Sequence, residues 1–186
     1  MTDADAPWLF LPLVGSLIAH LPVLRFDLLP SLKRPVDGGT TLRGRRLLGD
    51  NKTWRGMLAM STGVLAATLL LSRWPWYWSK LPDEVRAAGP LVFGALAGLG
   101  TVLAELPGSL VKRQLDIAPG DQRRSPAGLL LSIWDQGDFV PGVWLLLLPV
   151  WRMPLAQLAT SFAVVAACHL ALSVAGYALG VRRTIL

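Results

Sequence analysis

Two aspartates three residues apart, Asp135 and Asp138, interrupt an otherwise apolar stretch that runs over residues 127–133 before them and 139–151 after. A carboxylate at a helix centre in lipid costs at least ~2.5–3.5 kcal/mol, so one is kept there when it faces a wet cavity, a cation or a substrate. On a helix, positions three apart share a face, which suits two carboxylates jointly holding a divalent cation. Glu105, about one turn inside the end of another apolar run, is a candidate third carboxylate for the same metal. Ser109, Lys112 and Arg113 follow it and suit contact with phosphate. Snorkelling to the interface accounts equally well for the lysine and arginine, but not for Glu105. Pro107-Gly108 predicts a helix break that would open a polar pocket.

A second chemistry-bearing segment, residues 33–56, mixes glycines, hydroxyls and cations directly before an apolar run and ends Gly49-Asp50-Asn51-Lys52-Thr53-Trp54-Arg55-Gly56. Glycines let backbone N–H groups approach a phosphate, and a helix start adds free donors and a favourable dipole. Lys52, Arg55 and one or more of Arg43, Arg45 and Arg46 would supply charge. A basic patch that only touches anionic headgroups needs the charge, but neither the glycines nor Thr53. The Walker spacing is absent, as are a zinc-type His/Cys cluster and a G-x-S-x-G elbow. His20 and His169 stand singly and read as packing residues, and the polar stretch 115–126 receives no role.

The elements that must position these groups are membrane helices. With 53% of 186 residues hydrophobic, 16% charged and a mean hydropathy of +0.48, there is too little polar surface for a soluble domain. Five apolar stretches, about 6–24, 53–72, 87–111, 128–151 and 155–179, are long enough to span, the fourth only if unbroken at its aspartates. Continuous apolar runs predict helices and exclude a barrel of alternating strands. The expectation is an all-α integral membrane protein of about five transmembrane helices, one membrane domain over residues 1–186. The short acidic start lacks the basic region of a secretory signal, so the first stretch is expected to remain as a helix. Cys168 lies alone in an apolar run and reads as a buried thiol.

Charge sets the orientation. Of the 18 basic residues, 14 fall on one side: Arg25, Lys33, Arg34, Arg43, Arg45, Arg46, Lys52, Arg55, Lys112, Arg113, Arg123, Arg124, Arg182 and Arg183. That places the loops 25–52 and 112–127 and the C-terminus in the cytoplasm, with the N-terminus outside. The tract Trp74-Pro75-Trp76-Tyr77-Trp78 then falls at the outer interface as an aromatic belt.

Three segments, in this order, resemble the CDP-archaeol synthases, relatives of the CDP-diacylglycerol synthases (phosphatidate cytidylyltransferases). Gly44-Arg45-Arg46-Leu47-Leu48-Gly49-Asp50-Asn51-Lys52-Thr53-Trp54-Arg55-Gly56 is similar to the archaeal loop before the second helix. Glu105-Leu106-Pro107-Gly108-Ser109-Leu110-Val111-Lys112-Arg113 is similar to the acidic-x-x-x-Ser-x-x-Lys-Arg pattern, and Asp135-Gln136-Gly137-Asp138-Phe139 to the Asp-x-x-Asp signature. Five spans with the N-terminus outside also agree with that family. Asn51 stands where the family commonly has histidine, Gly137 where it has an apolar residue, and Ser173 where it has asparagine.

The resemblance implies a nucleotidyltransferase that joins CTP to a phosphate-monoester lipid, archaetidic- or phosphatidic-acid-like, and releases pyrophosphate. Such a site must bring two polyanions together and neutralise charge at the α-phosphorus and the leaving group. The implied roles are Mg²⁺ on Asp135 and Asp138, with Glu105 as the further candidate. Lys52, Arg55, Lys112 and Arg113, with Arg46, would lie on phosphates, and Thr53 and Ser109 would act as hydroxyl donors. The expected place is the cell (inner) membrane, multi-pass, with the site facing the cytoplasm, where CTP is. Two other readings remain: a non-enzymatic membrane protein that binds anionic lipid or a partner through its basic loop, and a small ion transporter. Nucleic acid is not an expected partner, because the loops lack interleaved stacking aromatics.

Overall fold

The structure, a computed structural model, describes residue 2 and residues 4–118 and 125–178. Arg123, Arg124, Arg182 and Arg183, used above for orientation, and Leu179 at the end of the fifth stretch lie outside the described residues.

The first apolar stretch is two helices in series. Residues Ala6–Leu13 form a 3-10 helix, and α1 (Val14–Arg25) continues from it. Pro12 lacks the N–H that an α-helical ladder would use, which favours the tighter form there. α2 (Trp54–Leu71) begins at Thr53, whose hydroxyl accepts the Gly56 N–H at 3.3 Å as an N-cap. A short α3 (Pro75–Trp78) leads into α4 (Asp83–Gln114), whose only non-helical residue is Gly89, at φ 84°. Then come α5 (Pro126–Trp134), α6 (Phe139–Leu147) and α7 (Leu155–Ala178).

Four described segments are long and apolar enough to cross a membrane: Ala6–Arg25, α2, α4 and α7. The fourth expected span is instead broken at its aspartates into α5 and α6. Residues 135–138 form successive tight turns, with the Gln136 N–H on the Ile133 carbonyl at 3.1 Å and the Gly137 N–H on the Trp134 carbonyl at 3.0 Å. Asp135 and Asp138 therefore cap two helices and do not share one helix face.

Four further expectations are corrected. α4 stays helical through Pro107-Gly108, so no break occurs there. The all-α class gains a two-stranded hairpin, β1 (Thr41–Leu42) antiparallel to β2 (Arg45–Arg46), because Arg43 and Gly44 take the positive φ values that a tight hairpin turn demands. Within the aromatic tract Trp74 and Trp76 are exposed, but Tyr77 is fully buried in the core. Cys168, expected buried, is exposed.

α2 and α4 form the centre, with α1 against α2 and α6 against α4. At the first crossing Gly15 faces Gly63, and a side chain on either would run into the other's backbone carbonyl. Gly100 faces Gly142 and Val143 in the same way between α4 and α6. In lipid, such close backbone approach is what holds helices together. The apolar core lies at the α3 end, where Leu9, Phe10, Val64, Tyr77, Phe93 and Val140 pack.

Gly63→Val should overpack the α1–α2 crossing and cost ~1–3 kcal/mol. Its thermal unfolding midpoint in detergent should fall, and an unchanged midpoint would contradict the crossing described here.

Candidate active site

The loop between α1 and α2 owes its shape to a single carboxylate. Asp37, with its side chain 1% exposed, accepts the Arg46 guanidinium at 2.7 Å and the N–H groups of Gly39 at 3.0 Å, Leu48 at 2.9 Å and Gly49 at 3.2 Å. Burial alone would raise the Asp37 pKa. The guanidinium and the backbone donors outweigh it and hold the carboxyl well below the usual carboxylate range. The hairpin clasps the end of α4, where Arg45 bonds the Gln114 carbonyl and pairs with Asp116, and the Gln114 amide donates to the Arg46 carbonyl at 3.3 Å. A backbone clasp finishes the loop: the Val36 N–H donates to the Lys52 carbonyl at 2.8 Å, and the Trp54 N–H to the Arg34 carbonyl at 3.1 Å. Lys52 is thereby set at the mouth of α2, facing α4.

There it meets a polar cavity of about 190 Å³. The loop supplies Asn51 and Lys52, and α4 supplies Glu105, Ser109, Lys112 and Arg113, which recur at helical spacing on one face. The joint of α5 and α6 supplies Asp135, Asp138 and Phe139, and α7 supplies His169. Lys52 pairs with Glu105, and Lys112 with Asp135. Asp138 is 3% exposed, and among the described residues its Oδ1 has no hydrogen-bond partner, nor has the buried Nε of Arg113. Gly108 lets the Asp135 carboxylate lie close to α4, since a Cβ there would sit 3.4 Å from Oδ1. Gly137 does the same on the other side: a Cβ would lie 2.8 Å from the Phe162 ring of α7.

Asn51, Lys52, Glu105, Phe139 and His169 also wall a second cavity of about 860 Å³, lined by apolar side chains of α1, α2, α4 and α7. A charged chamber and a large apolar one therefore share a partition.

Seven of the sequence-derived candidates come together in the polar chamber: Lys52, Glu105, Ser109, Lys112, Arg113, Asp135 and Asp138. Three do not. Arg46 is held by Asp37 and by Asp50 at 2.6 Å, and Arg55 is buried against Asp27 and the Leu28 carbonyl. Thr53 caps α2 and borders the apolar chamber. Among the described residues, no three His, Cys, Asp or Glu side chains gather as a metal-ligand group; of the three carboxylates in the chamber, two hold lysines. The three carboxylates are nonetheless oxygen donors of the kind a hard divalent cation takes, and the Asp138 Oδ1 is unpartnered among the described residues.

Sequence reasoning did not assign Asn51, Phe139 or His169 to the site. Asn51 is marked in the sequence by its place beside Lys52 and by standing where the family commonly has histidine. The His169 Nδ1 lies 3.3 Å from the Gln136 carbonyl and its ring packs on Phe139 with centroids 5.9 Å apart. It is a packing residue that also forms part of the partition.

The family model described as CarS-like, CDP-archaeol synthase, matches residues 16–185. The chain belongs to this family. The CDP-archaeol synthase of Halobacterium salinarum is 36% identical, with 80% of this chain and 81% of the relative covered. That of Aeropyrum pernix is 33% identical, with 95% and 94% covered. A solved structure of an intramembrane enzyme for archaeal membrane lipids biosynthesis superposes with a TM-score of 0.65 at 28% identity, covering 93% of this chain and 95% of that one. In this CDP-archaeol synthase family member, the three motifs that carried the resemblance all converge on the polar chamber.

Asp37→Asn should lower amide-exchange protection at Leu48 and Gly49. In the unaltered protein the carboxylate's contribution is fully present above the ordinary value of ~3.9 and is lost only as the pH falls towards its depressed folded value. Protection at those amides should therefore persist as the pH drops through that range. Equal protection in the variant would remove Asp37 as the organiser of the loop.

Proposed function

We propose that this member of the CDP-archaeol synthase family transfers a cytidylyl group from CTP to the phosphate of an archaetidic-acid-like lipid. A lipid phosphate oxygen attacks the α-phosphorus of CTP, the bond to the bridging oxygen breaks, and pyrophosphate leaves. The observation that carries this reading is the shared partition: a chamber lined by cations and carboxylates opens beside an apolar one large enough for a lipid chain. A charge-docking protein or an ion path has no use for that pairing.

A lipid phosphate is anionic at neutral pH and needs no strong base, so positioning and charge neutralisation supply the catalysis. Lys52, Lys112 and Arg113 bind the phosphates, with Ser109 as a hydroxyl donor on the same face. Asp135 and Asp138 would hold Mg²⁺, with Glu105 as the further carboxylate, and the bound ion would supply charge stabilisation at the phosphates. Arg46 and Arg55 act indirectly, the first by holding the loop and the second by tying α2 to the end of α1. Thr53 starts α2 and lies where the lipid enters.

The chain works as one domain in the cell membrane, with the polar chamber and its basic loop facing the cytoplasm. α5 and α6 together make the fourth crossing, which leaves the N-terminus outside and the C-terminus in the cytoplasm. Support comes from the lysine and arginine distribution and from exposed Trp74 and Trp76 at the opposite end from the chamber.

Purified protein given [α-³²P]CTP, Mg²⁺ and archaetidic or phosphatidic acid should move label into organic-extractable lipid, and EDTA should stop it. Asp138→Asn should lower the rate by roughly 100-fold or more, on the scale of losing one charge-stabilising group, with membrane insertion retained. Undiminished transfer in that variant would remove Asp138 from the machinery. No label with any lipid, from folded protein, would overturn the reading.

A further inference from the structure

We infer that Glu105 and Asp135 hold Lys52 and Lys112 in reserve, so that a nucleoside triphosphate and a divalent cation enter the polar chamber together and resist entering singly. The inference rests on the function proposed above and concerns how that site admits its ligands.

Each lysine of the chamber is engaged by a carboxylate of its own chain, Lys52 by Glu105 and Lys112 by Asp135. Both pairs are sheltered. The Lys112 side chain is 8% exposed, and those of Lys52 and Glu105 are 19% and 20% exposed. Taking one partner from a sheltered pair leaves the other charge uncompensated, and that residual charge is the main penalty.

A triphosphate arriving alone would draw off both lysines. Glu105 and Asp135 would then face its negative charge, next to the buried Asp138. A divalent cation arriving alone would draw off the carboxylates and leave two lysines and Arg113 around a dication. Arriving together, the phosphates take the lysines, the cation takes the carboxylates, and every charge meets an opposite one. The two ligands are therefore coupled through residues of the chain, and linkage makes the coupling reciprocal. In this arrangement Glu105 is both a cation ligand and a restraint on Lys52.

The test is equilibrium binding of radiolabelled CTP to the full-length protein in nanodiscs, with EDTA or with Mg²⁺ and without lipid. The unaltered protein should bind metal-free CTP far more weakly than CTP with Mg²⁺. Glu105→Gln frees Lys52, so it should bind metal-free CTP about 10-fold more tightly than the unaltered protein while gaining nothing with Mg²⁺. Asp135→Asn should do the same through Lys112 and carries the test if the first variant fails to fold.

If Glu105 were only a cation ligand, its loss would leave metal-free binding unchanged, and the inference would fail. A general charge effect would tighten both forms alike, which would also sink it. No binding of CTP by the unaltered protein under either condition would instead overturn the functional reading beneath it.

Discussion

Charges enclosed by membrane helices must find one another, and in this protein that requirement ties together three distant parts of the chain. The Lys52–Glu105 pair joins the loop before α2 to α4, and the Lys112–Asp135 pair joins the end of α4 to the α5–α6 joint. Removing one partner of such a sheltered pair would leave the other charge uncompensated, which makes the closure hard to open. The rest of the local structure serves this closure. The helix breaks where Asp135 and Asp138 must turn inward, Gly108 leaves room for one carboxylate, and Gly137 lets α7 press on the bare backbone of the turn.

The loop shows how a segment outside the helices acquires comparable definition. It has almost no apolar core, yet the buried Asp37 collects an arginine and three backbone donors, and the hairpin is tied to the end of α4 by Arg45 and Gln114. The result fixes the backbone on both sides of Lys52. Precision at the site thus comes from a buried polar knot, because an unpaired carboxylate at that depth is costly.

Much of this was legible in the sequence. Long apolar runs marked α2, α4 and α7 to within a few residues, and the types and spacing of Glu105, Ser109, Lys112 and Arg113 marked one functional face. Three motifs sufficed to name the family. What escaped depends on tertiary partners. A stretch of apolar residues with two aspartates reads as a helix until Phe162 and the chamber decide where it turns. Pro107 reads as a break, but packing on both sides keeps α4 helical. Tyr77 sits in an aromatic tract that composition assigns to the interface, although its ring lies in the core. Arg46 and Arg55 look like phosphate ligands in a basic loop, and only the placement of Asp37 and Asp27 reveals that they are already engaged. Asp37 itself had no signal beyond being an acidic residue in a basic segment.

In the proposed reaction, nucleotide and lipid meet across one partition. Two thiols can report on it: Cys168, which is exposed and lines the apolar chamber alone, and a cysteine at Asn51, which borders both chambers, introduced in a Cys168→Ala background. Alkylation by a membrane-permeable maleimide would be timed with CTP and Mg²⁺ or with archaetidic acid. The nucleotide should slow labelling in Asn51→Cys and spare Cys168, whereas the lipid should slow both. Labelling in Asn51→Cys that neither ligand alters would contradict a shared partition.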